Sequence, residues 1–161
     1  EQGVKRKALL LQRLDREARG LMLIAHTEKA AAALSDLFQN NKINKHYRAS
    51  VSDEWNPADL SPEKNLPLKI ESDIDGKQAI TWIDNAVYDA GNQQTHLQLH
   101  IDTGRKHQIR RHLASLGHPV IGDARYGQPT GSASIALQAC RIEYLCPLFN
   151  RKRIYTVPAD L

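Results

Sequence analysis

Residues 43–51, INKHYRASV, sort their side chains by parity. Ile43, Tyr47, Ala49 and Val51 fall on one side, and Asn44, His46, Arg48 and Ser50 on the other. Only an extended backbone alternates with a period of two, so the segment is predicted to be a strand with one buried and one polar face. Such a strand needs neighbours, and the sequence supplies them. Leu97, Leu99 and Ile101 alternate with His96, Gln98, His100 and Asp102. Ala79–Tyr88 reads as a strand following an Asp75-Gly76 turn, and residues 135–145 and 154–157 read as closing strands. Two stretches follow the helical period instead. Thr27 is placed to cap a helix through residues 28–41, with Ala30, Leu34, Leu37 and Phe38 on one face and Asn40 and Asn41 at its end. From about Lys106 to Leu116, Ile109, Leu113 and Leu116 recur at helical spacing, closed by Gly117 and followed by Pro119. Pro57, Pro62 and Pro67 make residues 52–68 a loop. The expectation is a mixed, strand-rich α/β domain with two amphipathic helices.

A chain of 161 residues suits one domain over 1–161 and buries roughly 68–70% of its unfolded surface, so it folds without disulfides or metal. With 41% apolar and 25% charged residues it is neither collagen, coiled coil, disordered tail nor disulfide scaffold. The longest uncharged apolar-rich run, residues 20–25, is too short to cross a bilayer. Charge interrupts the apolar stretch near the start, so no secretory signal is expected. Cys140 and Cys146 lack companions, which favours a reducing cytoplasm over a metal or disulfide framework. Residue 1 is not Met, and a cut-down N-terminus is expected. Neither GxGxxG nor GxxxxGK[ST] occurs, so no cofactor is expected. His96 and His100 are four apart on a strand with no third ligand nearby, which argues against zinc.

The net charge of +4, with a pI near 9.1, favours an anionic partner, and its distribution is more informative. Residues 1–20 carry Lys5, Arg6, Lys7, Arg13, Arg16 and Arg19 against three acids; residues 103–112 carry Arg105, Lys106, Arg110 and Arg111 and no acid. Residues 52–75 carry seven acids against two lysines. Solvated faces produce such runs, and so do two strips that meet a phosphate backbone with the acidic stretch turned away.

Three segments have the residue types for chemistry. In QRLDREARGLMLIAHT, residues 12–27, Asp15 lies between Arg13 and Arg16. A carboxylate flanked by cations is a poor general acid and a possible nucleophile, and it is equally an exposed ion pair worth roughly 0–1 kcal/mol. In TGRKHQIRRHLASLGHPVIGDARYG, residues 103–127, helical spacing sets His107, Arg110 and Arg111 on one polar face opposite Ile109, Leu113 and Leu116. Cations at a helix start oppose the macrodipole, a conflict that a bound phosphate or the needs of the fold would explain. Tyr47 shares its parity with Ile43 and Val51, so it is either a core tyrosine or a ring face for a flipped base.

Together these segments resemble the RluA-type RNA pseudouridine synthases. QRLDREARGLMLIAHT resembles the RLD motif. TGRKHQIRRHLASLGHPVIGDARYG is similar to the GR-x-HQIR-x-HL segment and its GHP continuation. KINKHYRASV resembles the strand bearing the family tyrosine, and SIALQACRIEY a later strand; the four come in family order over about residues 12–158. The resemblance implies a mixed, largely antiparallel central sheet flanked by helices. It makes Asp15 the catalytic aspartate, Tyr47 the tyrosine against the target base and Arg110 the basic partner of the aspartate. Arg13, Arg16, Arg105, Lys106, His107 and Arg111 would contact RNA. Gln12 stands where the family commonly has His, and Ala18-Arg19 where it commonly has Thr-Ser. The family's further N-terminal strands and any S4-like domain are expected to fall outside this sequence.

The implied reaction breaks the N-glycosidic bond of a uridine in ribosomal or transfer RNA and rejoins the base through carbon. That requires no redox step, no metal and no membrane. Two other readings stand beside it: a non-catalytic RNA-binding module of the same fold, and a nucleoside or glycoside hydrolase using Asp15. The hydrolase would ordinarily need two carboxylates, and the motifs supply one well-placed acid.

Overall fold

The computed structural model describes residues 7–55, 66–128 and 134–158. Along the chain these form β1 (Leu9–Leu10), β2 (Arg19–Gly20), β3 (Ile24–Ala25), α1 (Glu28–Gln39), β4 (Asn44–Ser52), β5 (Leu68–Asp73), β6 (Gln78–Asp89), β7 (Gln94–Ile101), α2 (Gln108–Ser115), β8 (Leu137–Cys146) and β9 (Arg151–Thr156). Seven strands make one sheet, in the order β2-β8-β4-β7-β6-β5, with β9 also paired to β8; β1 and β3 form a separate two-stranded ladder. All pairings are antiparallel except β2 with β8, which is parallel. The expected mixed, largely antiparallel sheet is therefore present. Lys5, Arg6 and most of the proline-rich loop, including Pro57 and Pro62, lie outside the described residues.

Local chemistry sets the element ends. Thr27 Oγ1 accepts a hydrogen bond from the Ala30 amide at 3.2 Å and starts α1. The helix ends two residues short of the predicted limit of residue 41, where Asn41 takes a left-handed φ of 52°. At the end of α2, the Gly117 amide donates to Ala114 and the His118 amide to Leu113, the pair of bonds that closes a Schellman motif; Gly117 supplies the positive φ of 83°. Asp75 and Gly76, both at positive φ, make the two-residue turn joining β5 to β6. β5 takes in Leu68, the last residue of the predicted loop, and pairs its alternation of Leu68 and Ile70 with β6.

Both helices cover the same face of the sheet. Ile109 and Leu113 of α2 join Ala49, Val51, Ile83, Leu97, Leu99 and Leu137 in the main core. Leu34, Leu37 and Phe38 of α1 pack on Ile43, Ile142, Tyr144 and Cys146 in a second, smaller cluster. Among the described residues, the face holding His46, Arg48, Trp82, Asp84 and His100 carries no helix, in keeping with the polar parity of β4 and β7. No described helix is long and apolar enough to cross a membrane.

Candidate active site

The N-terminal ladder and the parallel pair hold a short loop between them. Residues 11–18 run from β1 to β2, and Asp15 lies in this loop. Its carbonyl accepts from the Ala18 amide at 3.0 Å, and the Glu17 carbonyl accepts from the Ile135 amide at 3.2 Å. β2 fixes the far end because Gly20 meets the Ala139 backbone so closely that a Cβ there would stand 2.2 Å from the Ala139 oxygen. At a φ of 120° this position also demands glycine.

Arg110 comes from the other side of the site, on the first turn of α2, and is only 3% exposed. Its guanidinium forks onto Asp123, Nε to Oδ2 at 2.6 Å and Nη2 to Oδ1 at 2.8 Å. The remaining Nη1 reaches Asp15 Oδ2 at 3.4 Å and Glu17 Oε2 at 3.3 Å. Asp123 is 0% exposed and also accepts the Arg125 and Tyr126 amides. Burial raises the affinity of Asp123 for a proton, but hydrogen bonds from Arg110 and those amides outweigh it, so its pKa lies below the usual carboxylate range. The Arg110 pKa is raised, chiefly by its bond to Asp123. Arg110 also lies 5.3 Å from the centroid of the Tyr126 ring.

Asp15, 22% exposed at its side chain, is reached by His107 Nε2 at 3.8 Å, while His107 Nδ1 lies 3.0 Å from the Tyr126 hydroxyl. Burial and the charges of Arg110, Arg125 and Lys106 lower the His107 pKa against the pull of Asp15, which favours a neutral ring at pH 7. Tyr47, on β4, faces the same space as Asp15. Burial and then the charge of Asp15 push its pKa up to about 12, so it is a neutral phenol.

Asp15 stands in the middle of a continuous groove. A pocket of about 90 Å³ between Asp15 and Tyr47 is walled by Ala18, Ile101, His107 and Leu137. It opens on one side into a wider part of about 550 Å³ near Phe38, lined by Arg13, Arg105 and Lys106. On the other side it opens toward Arg16 and Arg125.

Of the residues singled out in the sequence, Asp15, Tyr47, Arg110, Arg13, Arg16, Arg105, Lys106 and His107 thus meet at one groove. Arg111 does not. The helix spacing that joins it to Arg110 holds, but Arg110 is buried in the site while Arg111 turns outward to Asp75 in the β5–β6 turn, Nη1 to Oδ1 at 3.0 Å. The shared polar face is therefore divided between a buried residue and a surface one.

Sequence reasoning passed over four residues. Asp123 and Glu17 add two acids at Arg110, where the motifs indicated one. Tyr126 joins His107 to Arg110. Gln108 fastens the start of α2: its Oε1 accepts from Thr103 Oγ1 and the Arg105 amide, and its Nε2 donates to the Ile80 carbonyl. The GD-x-x-YG run held the signal for Asp123 and Tyr126, but their spacing from Arg110 follows no helix or strand period.

The sequence profile described as RNA pseudouridylate synthase matches residues 1–115, and the chain belongs to this family. It is 31% identical to an uncharacterized RNA pseudouridine synthase, YjbO, of Bacillus subtilis over 97% of this chain and 57% of that protein. It is 32% identical to the dual-specificity RNA pseudouridine synthase RluA of Vibrio vulnificus, covering 94% and 66% respectively. A third relative, the ribosomal large subunit pseudouridine synthase D of Zymomonas mobilis, is 31% identical, with 85% and 44% covered. The chain thus spans about half to two thirds of the length of these curated relatives. Among solved structures, human RNA pseudouridylate synthase domain containing 1 superposes with a TM-score of 0.73 at 22% identity, over 94% of this chain and 69% of that one, and so shares its fold.

Proposed function

We propose that this chain is the catalytic domain of an RNA pseudouridine synthase that isomerises uridines of structured ribosomal or transfer RNA in the cytoplasm, without cofactor or metal. The observation that carries the reading is the Asp15 carboxylate, held 3.4 Å from a buried guanidinium at the floor of a basic groove it shares with Tyr47. The target base leaves its stack at a cost of a few kcal/mol and enters the pocket between Tyr47 and Asp15. The cations along the groove, Arg13, Arg16, Arg105 and Lys106, meet the flanking phosphates.

Asp15 acts as nucleophile or base while the bond from the ribose to nitrogen breaks and the bond to carbon 5 forms. The proton on carbon 5 leaves in the last step. Tyr47, a neutral phenol in the free chain, lays its ring face on the base and assists the proton transfer at carbon 5 through its hydroxyl. Arg110, itself fixed by Asp123, orients Asp15. The walls of the pocket keep the detached uracil near the sugar and keep water from it.

RNA carrying uridine tritiated at carbon 5 tests the reading. The chain is expected to release tritium and Asp15→Ala to release none; release by both, or by neither, overturns catalysis by Asp15. The latter result, with RNA binding retained, is the outcome of the second reading, a non-catalytic RNA-binding module of the same fold.

A further inference from the structure

Lys45 is the second residue of β4 and faces the same side as Tyr47, two positions along. Its neighbours across the sheet are Ile101 on β7 and Ile142 on β8, and it is only 7% exposed. Gly104 leaves space for the ammonium: a Cβ on that residue would stand 3.4 Å from Lys45 Nζ. Among the described residues no carboxylate lies within 4.0 Å of the ammonium to pair with it. Asp102 acts on it from farther away, and Asp102 already accepts a hydrogen bond from Trp82 Nε1. Burial lowers the Lys45 pKa and the charge of Arg105 lowers it further, against Asp102. A desolvated ammonium without a counter-ion is costly, and the fold adds to the cost by lining this end of the groove with Arg13, Arg105 and Lys106 against the one acid Asp15.

A base or a ribose offers only dipoles to such a group, whereas a phosphodiester brings a full charge and several acceptor oxygens. Two positions along a strand separate Lys45 from Tyr47 by roughly 7 Å, so ammonium and ring serve neighbouring parts of one bound strand. We propose that Lys45, with Arg105, binds a phosphodiester of the RNA strand beside the nucleotide that lies over Tyr47. The inference rests on the reading of the groove as an RNA site.

The test titrates the full chain, Lys45→Met and Lys45→Arg with a fluorescent single-stranded oligouridylate over a range of salt concentrations, folding being checked by thermal melts. Lys45→Met is expected to bind about tenfold more weakly, as the loss of one charge-assisted contact implies. The slope of log affinity on log salt should become shallower by about 0.7, the share of one phosphate contact on a single strand. Lys45→Arg should keep the slope. Unchanged affinity and slope in Lys45→Met overturn the proposal, as does an equal loss in Lys45→Arg, because packing rather than charge is then responsible. Absence of salt-dependent binding by the unaltered chain overturns instead the reading of the groove on which the proposal rests. Should Lys45→Met fail to fold, acetylation of Lys45 in the unaltered chain, read by mass spectrometry, replaces it. Less labelling with bound oligouridylate than without it is expected, and equal labelling with and without it overturns the proposal.

Discussion

At the scale of single residues, the site depends on how completely Arg110 is held. Its fork onto Asp123 is short and fully buried, while its contacts to Asp15 and Glu17 are longer and reach solvent. Asp123 and Asp15 therefore have unequal structural weight. Replacing Asp123 with Asn leaves a buried guanidinium short of its main counter-charge and should cost about 3 kcal/mol, at the low end for a broken buried pair because Asp15 and Glu17 remain. Asp15→Asn should cost less than about 1 kcal/mol, as for a partly exposed pair. Urea unfolding measures both. Tritium release should fall in both, since Asp15 loses either its charge or the group that orients it. Asp15, Tyr47 and Arg110 were legible because each stands in a segment with a recognisable pattern. Asp123 was not, since a contact 13 residues along the chain, from α2 to the turns beyond it, leaves no periodicity to read. Lys45 was missed for a different reason: parity assigns it to the inner face of β4, but says nothing of whether an acid waits there.

At the scale of elements, the long strands and both helices were legible because alternation or helical spacing persists over enough residues to be counted. Two-residue strands such as β1, β2 and β3 carry no countable period. β2 matters most among them, since it holds one end of the Asp15 loop against β8. Gly20→Ala puts a methyl into the Ala139 backbone and strains φ as well. It should cost about 2 kcal/mol or more and lift the loop, so that activity is lost even where the protein remains folded. Gly76→Ala is the control: its φ is also positive, but the space is open, and roughly 1–2 kcal/mol of left-handed strain is its only cost. Thermal melts beside tritium release separate the two. Equal effects would show that the approach of β2 to β8 has no special weight.

At the scale of the whole molecule, the sorting of charge along the chain survives only in part. Arg13 and Arg16 of one basic segment and Arg105 and Lys106 of the other line one groove, yet Lys7 pairs with Glu28, Arg110 is consumed inside the groove and Arg111 is turned to Asp75. Acid stability is also a property of the whole fold. His46, His107 and His112 all have pKa values lowered from 6.5, each by burial first. His112 is held between Ser72 and Thr81 on its two ring nitrogens. A group with a depressed folded pKa takes up its proton more readily in the unfolded chain, so stability falls as pH drops through 6.5 and the loss is complete below the folded values. The melting temperature should therefore decline between pH 7 and pH 5, and His112→Gln should flatten the decline. A flat profile in the unaltered chain would contradict the histidine assignments. Glu143 does not act in this window: hydrogen bonds from Asn44 and Arg141 hold it at about 2.

The parallel pairing of β2 with β8 ties Arg19 to Gln138 and Gly20 to Ala139. On a ribosome, the aspartate loop is thus made more than a hundred residues before the strand that seats it. A nascent chain halted just before β8 would already contain Asp15, Tyr47, His107, Arg110 and Asp123, without the strand that fixes the far end of the loop carrying the first of them. Synthesis thus separates the making of the carboxylate and its guanidinium from the making of the strand that holds them together.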